Sequence, residues 1–167
     1  MKTPSLRQSA ILLAFPLLTG VGISSAYAGD AKVYPGSMAV KYSGPSPTYS
    51  WSMINNPSST SWMYVDLPVI NDDTGSGIDV SWVQVLDRHY SSDVRCAIIT
   101  VYWNNSADAI YGYFGPNRYS TGSSNNAQTL YTGSASHGST RHEYFSCAVP
   151  PSYAGQSSSI VSYYVSE

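Results

Sequence analysis

Apolar and polar residues alternate with a period of two along much of this chain. In the segment 142–149, Phe145, Cys147 and Val149 fall on one face, and polar or amphipathic residues fall between them. The segment 94–103 starts in the same way and then becomes apolar on both faces. Because successive side chains of a strand point to opposite faces, the first pattern predicts a half-buried strand and the second a central one.

Nine segments rich in Val, Ile, Tyr or Trp are separated by turns that contain Gly, Pro, Asn or Ser. The predicted strands cover residues 37–42, 48–54, 62–70, 78–87, 94–103, 110–114, 128–132, 142–149 and 160–165. No stretch shows sustained helical periodicity, and strand and turn alternate at the spacing of a two-sheet fold. The sequence therefore predicts an all-β domain, an antiparallel β-sandwich or a jelly-roll-like fold, with one disulfide.

The start of the chain has the pattern of an export signal. Lys2 and Arg7 precede an apolar run, 10–21, and Ala26-Tyr27-Ala28 follows it. We expect cleavage after Ala28 and a secreted protein, periplasmic or extracellular. A membrane anchor is the alternative, but the run has about a dozen residues and a spanning helix needs about 20. The predicted units are a signal peptide, 1–28, and a single β-sandwich domain, 29–167, with no transmembrane segment after cleavage.

Charged residues are scarce in this chain. They make up 11% of it, against about 25% in ordinary domains. The leader holds two of the eight basic residues and none of the ten acidic ones, which leaves six against ten and a formal charge of −4. The remaining basic residues are scattered rather than clustered, so the sequence argues against nucleic acid as a partner.

The chain has two cysteines, Cys96 and Cys147. Export would place them in an oxidising compartment, where an even number of cysteines predicts a disulfide. Alternation puts both on the apolar faces of their predicted strands, so the bridge would join two core strands. A nucleophilic or metal-binding cysteine is the alternative, and it would need a base or further ligands nearby.

Acidic residues surround one glycine-containing turn, and exported proteins often hold calcium through such oxygen ligands. The candidate ligands are Asp72, Asp73 and Asp79. Their spacing does not match an EF-hand loop, and Asx residues that bond their own backbone explain the same turn without a metal. Calcium is therefore a weak candidate, and we predict no other metal and no cofactor.

No motif in the chain indicates catalysis. The histidines, His89, His137 and His142, lack the spacing of a zinc protease, and no Gly-x-Ser-x-Gly elbow is present. Glycoside hydrolysis commonly needs two placed acids, and Glu143 is the only glutamate before the last residue. We therefore assign no catalytic residue.

Aromatic residues near a Gly-Pro turn give the best candidate for a binding surface. Tyr111, Tyr113, Phe114 and Tyr119 lie close to this turn and precede a polar run. Exposed aromatic patches mark interaction sites, and flat rings can stack on sugars. The alternative is packing, because tyrosine is a good strand residue that buries its ring and hydrates its hydroxyl. Trp82 and Trp103, in apolar strands, are expected in the core.

Three short motifs, together with Cys96, resemble a loose group of small secreted bacterial proteins of unknown function. They are Tyr34-Pro35-Gly36, Asp66-Leu67-Pro68-Val69 and Cys147-Ala148-Val149-Pro150. The resemblance implies a second cysteine pair in many members, at the positions of Ala39 and Leu67 in this chain. It implies a fold and a compartment, and no activity or site residue.

The first functional hypothesis is a secreted, non-enzymatic β-sandwich binding module. Carbohydrate binding is its most specific form. Its partner would be a glycan or another surface protein. The second hypothesis is a structural or envelope-associated protein whose sheet edges pair with a partner. A hydrolase with an unrecognised site is the third, because a missing signature is only weak evidence against an enzyme.

Overall fold

The computed structural model describes residues 30–72, 77–136 and 141–167. The predicted signal peptide, 1–28, lies outside these ranges, as do Asp73 and His137. The strands are β1 Ala31–Pro35, β2 Val40–Ser43, β3 Thr48–Ser50, β4 Met53–Asn55, β5 Met63–Pro68, β6 Val80–Leu86, β7 Arg95–Asn104, β8 Ala109–Phe114, β9 Arg118–Tyr119, β10 Gln128–Tyr131, β11 Arg141–Val149 and β12 Ser159–Ser166. One turn of 3-10 helix, Gly36–Met38, follows β1.

The strands form two antiparallel sheets, which confirms the predicted β-sandwich class. Sheet A has the order β10-β6-β12-β4-β3, and β1 also pairs with β12. Sheet B has the order β2-β5-β11-β7-β8, and β9 also pairs with β7. Within the described ranges, no helix is long and apolar enough to cross a membrane.

The two sheets bury their apolar faces against each other. Sheet A contributes Val83, Val85 and Tyr163, and sheet B contributes Val65 and Phe145. The Tyr163 ring contacts Phe145 edge-on at 5.7 Å, and its hydroxyl donates to a backbone carbonyl at 2.9 Å, so the buried phenol keeps a partner. This core fixes the inner face of each strand, and alternation then fixes which residues reach the outer face.

The disulfide joins Cys96 of β7 to Cys147 of β11. The two residues are directly opposite each other in the ladder, with Cα atoms 4.2 Å apart, and both are buried on the inner face. The prediction of a bridge between two core strands is confirmed. The bridge links neighbours within sheet B, so it stabilises the register of β7 against β11.

The predicted strand 48–54 is wrong in one respect, because the chain folds there into a hairpin of β3 and β4. Its turn residues, Trp51 and Ser52, carry no glycine or proline signal. The short strands β1 and β9 were not predicted, and part of the segment 37–42 is 3-10 helix. Two-residue strands such as β9 are too short for alternation to reveal them.

Replacing both cysteines by alanine should lower the free energy of unfolding by about 4 kcal/mol, because the bridge closes a loop of 51 residues. Urea denaturation of the oxidised protein and the variant measures the difference. Adding a reductant should shift the midpoint of the parent and leave the variant unchanged. Equal midpoints for the oxidised and reduced parent would contradict a stabilising bridge.

Candidate ligand-binding surface

The four aromatic residues predicted as one surface lie on two faces of sheet B. Tyr113 pairs with the buried Thr100, which places its ring on the inner side of the sheet, together with that of Tyr111. Phe114 is the next residue along β8, so it points to the outer side. Tyr119 pairs with the exposed Arg95 and also belongs to the outer side.

Tyr111 and Tyr113 form a cluster where β7 and β8 extend towards their shared turn. Their rings lie 5.7 and 6.0 Å from the ring of Tyr102, in near-parallel orientations. The Arg141 guanidinium lies 5.3 Å from the Tyr102 ring and 5.7 Å from the Tyr113 ring. A hydrogen bond with Tyr113 raises the pKa of Tyr102. These rings already contact one another and a cation, which satisfies much of their stacking capacity.

The middle of the outer face of sheet B is made of small residues. Ser146 of β11 pairs with Ala97 of β7, and Ala148 pairs with Arg95. Ala97 is 5% exposed and Ala148 is 3% exposed, although both point away from the core. Taller neighbours therefore screen them from solvent. The outer face has a recessed floor.

Tyrosines stand beside this floor. Tyr64 pairs with Ala148, and its ring lies 6.1 Å from that of Tyr42 on β2. The Tyr42 hydroxyl is 3.4 Å from the Ser146 hydroxyl. Tyr144 lies two residues before Ser146 on the same face, and Tyr119 completes the far side beyond Arg95. We call this surface the tyrosine groove. It consists of Tyr42, Tyr64, Tyr119 and Tyr144 around the floor of Ala97, Ser146 and Ala148.

Two open cavities lie along the tyrosine groove. The first, about 410 Å³, is lined by Trp62, Tyr64, Ser91, Ser92, Asp93, Arg95 and Tyr119. The second, about 330 Å³, is lined by Val40, Asp66, Pro68, Val69, His142, Glu143 and Tyr144. Each cavity thus has a tyrosine ring beside charged side chains, and the first also has serine hydroxyls. This mixture can fix a polar ligand with apolar faces.

The groove contains one carboxylate held in a partly buried position. Asp66 of β5 pairs with Ser146, so it lies on the floor side of the groove. Burial raises the pKa of Asp66, and a hydrogen bond from the Ser146 side chain partly opposes this shift. Burial, and then the nearby charges of Asp66 and Tyr42, raise the pKa of Tyr144. These groups are close enough to act on one ligand.

Sequence reasoning missed most of this surface. Of the tyrosines in the groove it singled out Tyr119 alone, since alternation shows which residues share a face of one strand but not which strands are neighbours. Trp82 and Trp103 were expected in the core, but Trp82 is only partly buried and Trp103 is exposed. Trp82 stacks on Tyr164 at 5.2 Å on the outer face of sheet A, and Trp103 pairs with the exposed Ile110 near the end of β7.

The acidic turn contains a lysine among its carboxylates. The Lys32 ammonium binds Asp72, lies 2.7 Å from the buried Glu167 carboxylate and 3.2 Å from Asp30. Burial disfavours its charge, but hydrogen bonds to these three acids more than offset that cost, so the pKa of Lys32 is raised. In the described ranges, no group of three His, Cys, Asp or Glu residues could hold a metal ion. The calcium hypothesis stays a prediction, because Asp73 lies outside them.

The described histidines do not converge on one place. His142 is exposed on β11 beside the second cavity, as alternation predicted. The His89 ring packs against Tyr153 at 5.4 Å, and its Nδ1 accepts a hydrogen bond from the backbone N–H of Ser91. His89 and His142 therefore do not form one shared site.

No protein-family model and no curated protein matches the chain. Among solved structures, it is similar to a family two carbohydrate esterase from Cellvibrio japonicus, at 6% identity and a TM-score of 0.46, over 83% of this chain and 34% of that one. It is also similar to the CBM36-1 domain of a multidomain xylanase from the hindgut metagenome of Trinervitermes trinervoides, at 11% identity and a TM-score of 0.45, over 83% of this chain and 97% of that one.

A third similar structure is the xylan binding module CBM86 from Roseburia intestinalis, at 14% identity and a TM-score of 0.41, over 83% of this chain and 97% of that one. The chain thus spans about a third of the esterase and nearly all of each module. Likeness at these values identifies neither a family nor a ligand for this chain.

Replacing Lys32 by methionine should lower the free energy of unfolding by about 3 kcal/mol, because it leaves the buried Glu167 carboxylate without its cation. Lys41→Met is the control, since among the residues that the structure describes the Lys41 ammonium donates only to the backbone carbonyl of Gly44. This variant should change stability by less than about 0.5 kcal/mol. Urea denaturation at neutral pH measures both. Equal effects would contradict a structural role for the cluster.

The stability difference between the parent and Lys32→Met depends on pH through the pKa shifts of Lys32 and Asp72. The raised pKa of Lys32 means that its contribution is fully present at neutral pH and is lost only in strong alkali. The Lys32 ammonium lowers the pKa of Asp72, so the Asp72 contribution is lost as the pH falls through that lowered value. The stability difference between parent and Lys32→Met should therefore stay constant across neutral pH and shrink in acid.

Proposed function

We propose that the chain is a non-catalytic carbohydrate-binding domain of an exported protein, and that its ligand lies in the tyrosine groove. The observation that carries this proposal is the recessed floor of Ala97, Ser146 and Ala148 beside the tyrosines of the groove. Small side chains at the centre of a sheet leave room for a ligand, and rings at the sides supply the contact area. Export is supported by the disulfide, which persists in oxidising compartments.

Sugar rings fit this mixture of groups. Each ring has apolar C–H faces, which pack on aromatic rings, and hydroxyls at its edge, which need hydrogen-bond partners. Tyr64 and Tyr144 supply two rings on neighbouring strands. Strand geometry separates their Cα atoms by roughly 14 Å. That span suits an oligosaccharide of more than one ring.

The polar groups of the groove suit hydroxyls. A carboxylate such as Asp66 accepts hydrogen bonds and a guanidinium such as that of Arg95 donates them. Arg95 is exposed in the first cavity, and within the described part of the chain its guanidinium makes no ion pair or hydrogen bond. Each group therefore has bonding capacity left for a ligand.

The arrangement of acids supports binding rather than hydrolysis. Glycoside hydrolysis uses two carboxyl groups that flank one bond. Asp66 lies on the outer face of sheet B, and alternation places the buried Glu143 on the inner face. Asp93 lines the other cavity. Asp66 and Glu143 both line the second cavity, but Glu143 is only 3% exposed, so these three residues do not supply two exposed carboxyl groups to one cavity.

Tyr64→Ala and Tyr144→Ala should each weaken binding of an oligosaccharide at least tenfold, which corresponds to about 1.4 kcal/mol. The control is Tyr49→Ala, which removes an exposed ring from β3 at the edge of sheet A and should leave binding of a short oligosaccharide unchanged. A glycan array selects the ligand, and calorimetric titration measures each affinity. Losses in Tyr111→Ala and Tyr113→Ala, with none in Tyr64→Ala, would move the site to the cluster around Tyr102 and contradict the groove.

Asp66→Asn should weaken binding at neutral pH and leave the fold as stable or more stable. The parent has a raised pKa at Asp66 because its charge is partly buried, so the charged form costs folding energy that the amide does not. As the pH falls through that pKa, the parent carboxylate gains a proton and binding should weaken. Titrations at several pH values should show this decline in the parent and not in the variant. A variant with parental affinity would contradict a contact between Asp66 and the ligand.

A further inference from the structure

One residue of the structure combines backbone strain with full exposure. Trp51 occupies the turn of the β3–β4 hairpin with a φ of +53°, and its side chain is 98% exposed. Glycine or asparagine usually occupies such a position, because a bulky side chain is strained in the left-handed region. An exposed indole contributes no burial to the core. Trp51 therefore destabilises the fold through backbone strain and adds no packing to the core.

Hydrogen bonds hold the hairpin from both sides of the turn. The Asn55 side-chain amide donates to the Thr48 carbonyl at 3.0 Å and to the Ser50 hydroxyl at 3.1 Å. The backbone N–H of Ser37 donates to the carbonyl of Ser52 at 2.7 Å. These contacts fix the turn, so Trp51 cannot relax by unwinding it. Strain that the surroundings enforce is a feature of functional sites.

We propose that Trp51 is a second carbohydrate contact, outside the tyrosine groove, which stacks its indole on a neutral sugar ring of a polysaccharide. This inference rests on the proposed function. The tip of the β3–β4 hairpin carries no formal charge, since every residue in 48–55 and in the adjoining turn 36–38 is neutral. Thr48, Ser50 and Ser52 add hydroxyl groups to the same hairpin, and these suit a ligand rich in hydroxyls.

The neutral tip disfavours other classes of partner. Anionic lipid surfaces and nucleic acids attract clusters of Lys and Arg, and the hairpin has neither. A protein partner needs a standard interface of about 800 Å² on each side, which a turn between two three-residue strands does not offer. A single flat ring with hydroxyl neighbours matches one sugar ring in size.

The two contacts lie on different sheets, which predicts a dependence on ligand length. The hairpin belongs to the edge of sheet A, and the tyrosine groove lies on the outer face of sheet B. A short oligosaccharide fills the groove alone. A polymer can engage both contacts, and the second contact then acts at a high effective concentration. Loss of Trp51 should therefore weaken polymer binding and spare the binding of short ligands.

The test uses the full chain and three variants, Trp51→Gly, Trp51→Tyr and Tyr64→Ala. Polymer binding is measured by depletion on insoluble xylan, cellulose, mannan and chitin. Short-ligand binding is measured by titration with xylotriose, cellotriose, mannotriose and chitotriose. Trp51→Gly should bind the preferred polymer at least tenfold more weakly, keep its affinity for the trisaccharide within twofold, and melt no lower than the parent. Trp51→Tyr keeps a ring and should retain most of the polymer binding.

The outcomes separate this inference from the proposed function. Parental polymer binding by Trp51→Gly, together with a loss in Tyr64→Ala, overturns the second contact and leaves the groove standing. A lower melting temperature in Trp51→Gly overturns it as well, since the indole would then serve the fold. A parent that binds none of these polymers and trisaccharides overturns both proposals.

Discussion

The pairing of β7 with β11 determines the inner and outer residues of sheet B. The disulfide between Cys96 and Cys147 joins directly opposed residues of these strands and opposes any slip between them. A slip of one residue would exchange the two faces of a strand, because side chains alternate. Ala97 or Ser146, whichever belongs to the strand that moves, would then point into the core, and the floor of the groove would be disrupted. The same pairing therefore supports both the core and the proposed binding surface.

Because this chain has few charged residues, the position of each one is informative about its role. Asp87 is fully buried, and its carboxylate accepts hydrogen bonds from Ser120, from Ser158 at 3.1 Å and from the backbone of His89 at 3.0 Å. Glu167 is bound by Lys32. These acids are occupied within the fold, as buried charges must be. Asp66 and Arg95 differ because they lie at open cavities, which supports their assignment to a ligand.

Alternation and turn residues predicted the fold class, most of the strands and the disulfide. They failed at the β3–β4 hairpin, because its turn contains Trp51 where turn statistics favour glycine, and this failure marks the strained residue. They also failed to assemble the tyrosine groove. Tyr64 and Tyr144 lie 80 positions apart in sequence, and only the pairing of β5 with β11 brings them to one face of the same sheet. Sheet order follows from long-range pairing, which a single sequence does not reveal.

The residues of the predicted surface around Tyr111 lie on two faces of sheet B, and their role in binding stays a prediction. Its residues are exposed aromatics, as predicted, but the pleat of β8 separates Tyr113 from Phe114. The inner pair joins Tyr102 and Arg141, while Tyr119 joins the groove. Proximity along the chain therefore did not reveal which rings are neighbours in the fold.

The most direct test of the account is to map the amide NMR shifts of the labelled protein during titration with a short oligosaccharide selected on a glycan array. Binding in the groove predicts the largest shifts at Ala97, Ser146 and Ala148 and at their neighbours on β5, with β6 and β10 unchanged. Shifts centred on Tyr111 and Tyr113, or on the outer face of sheet A, would contradict it.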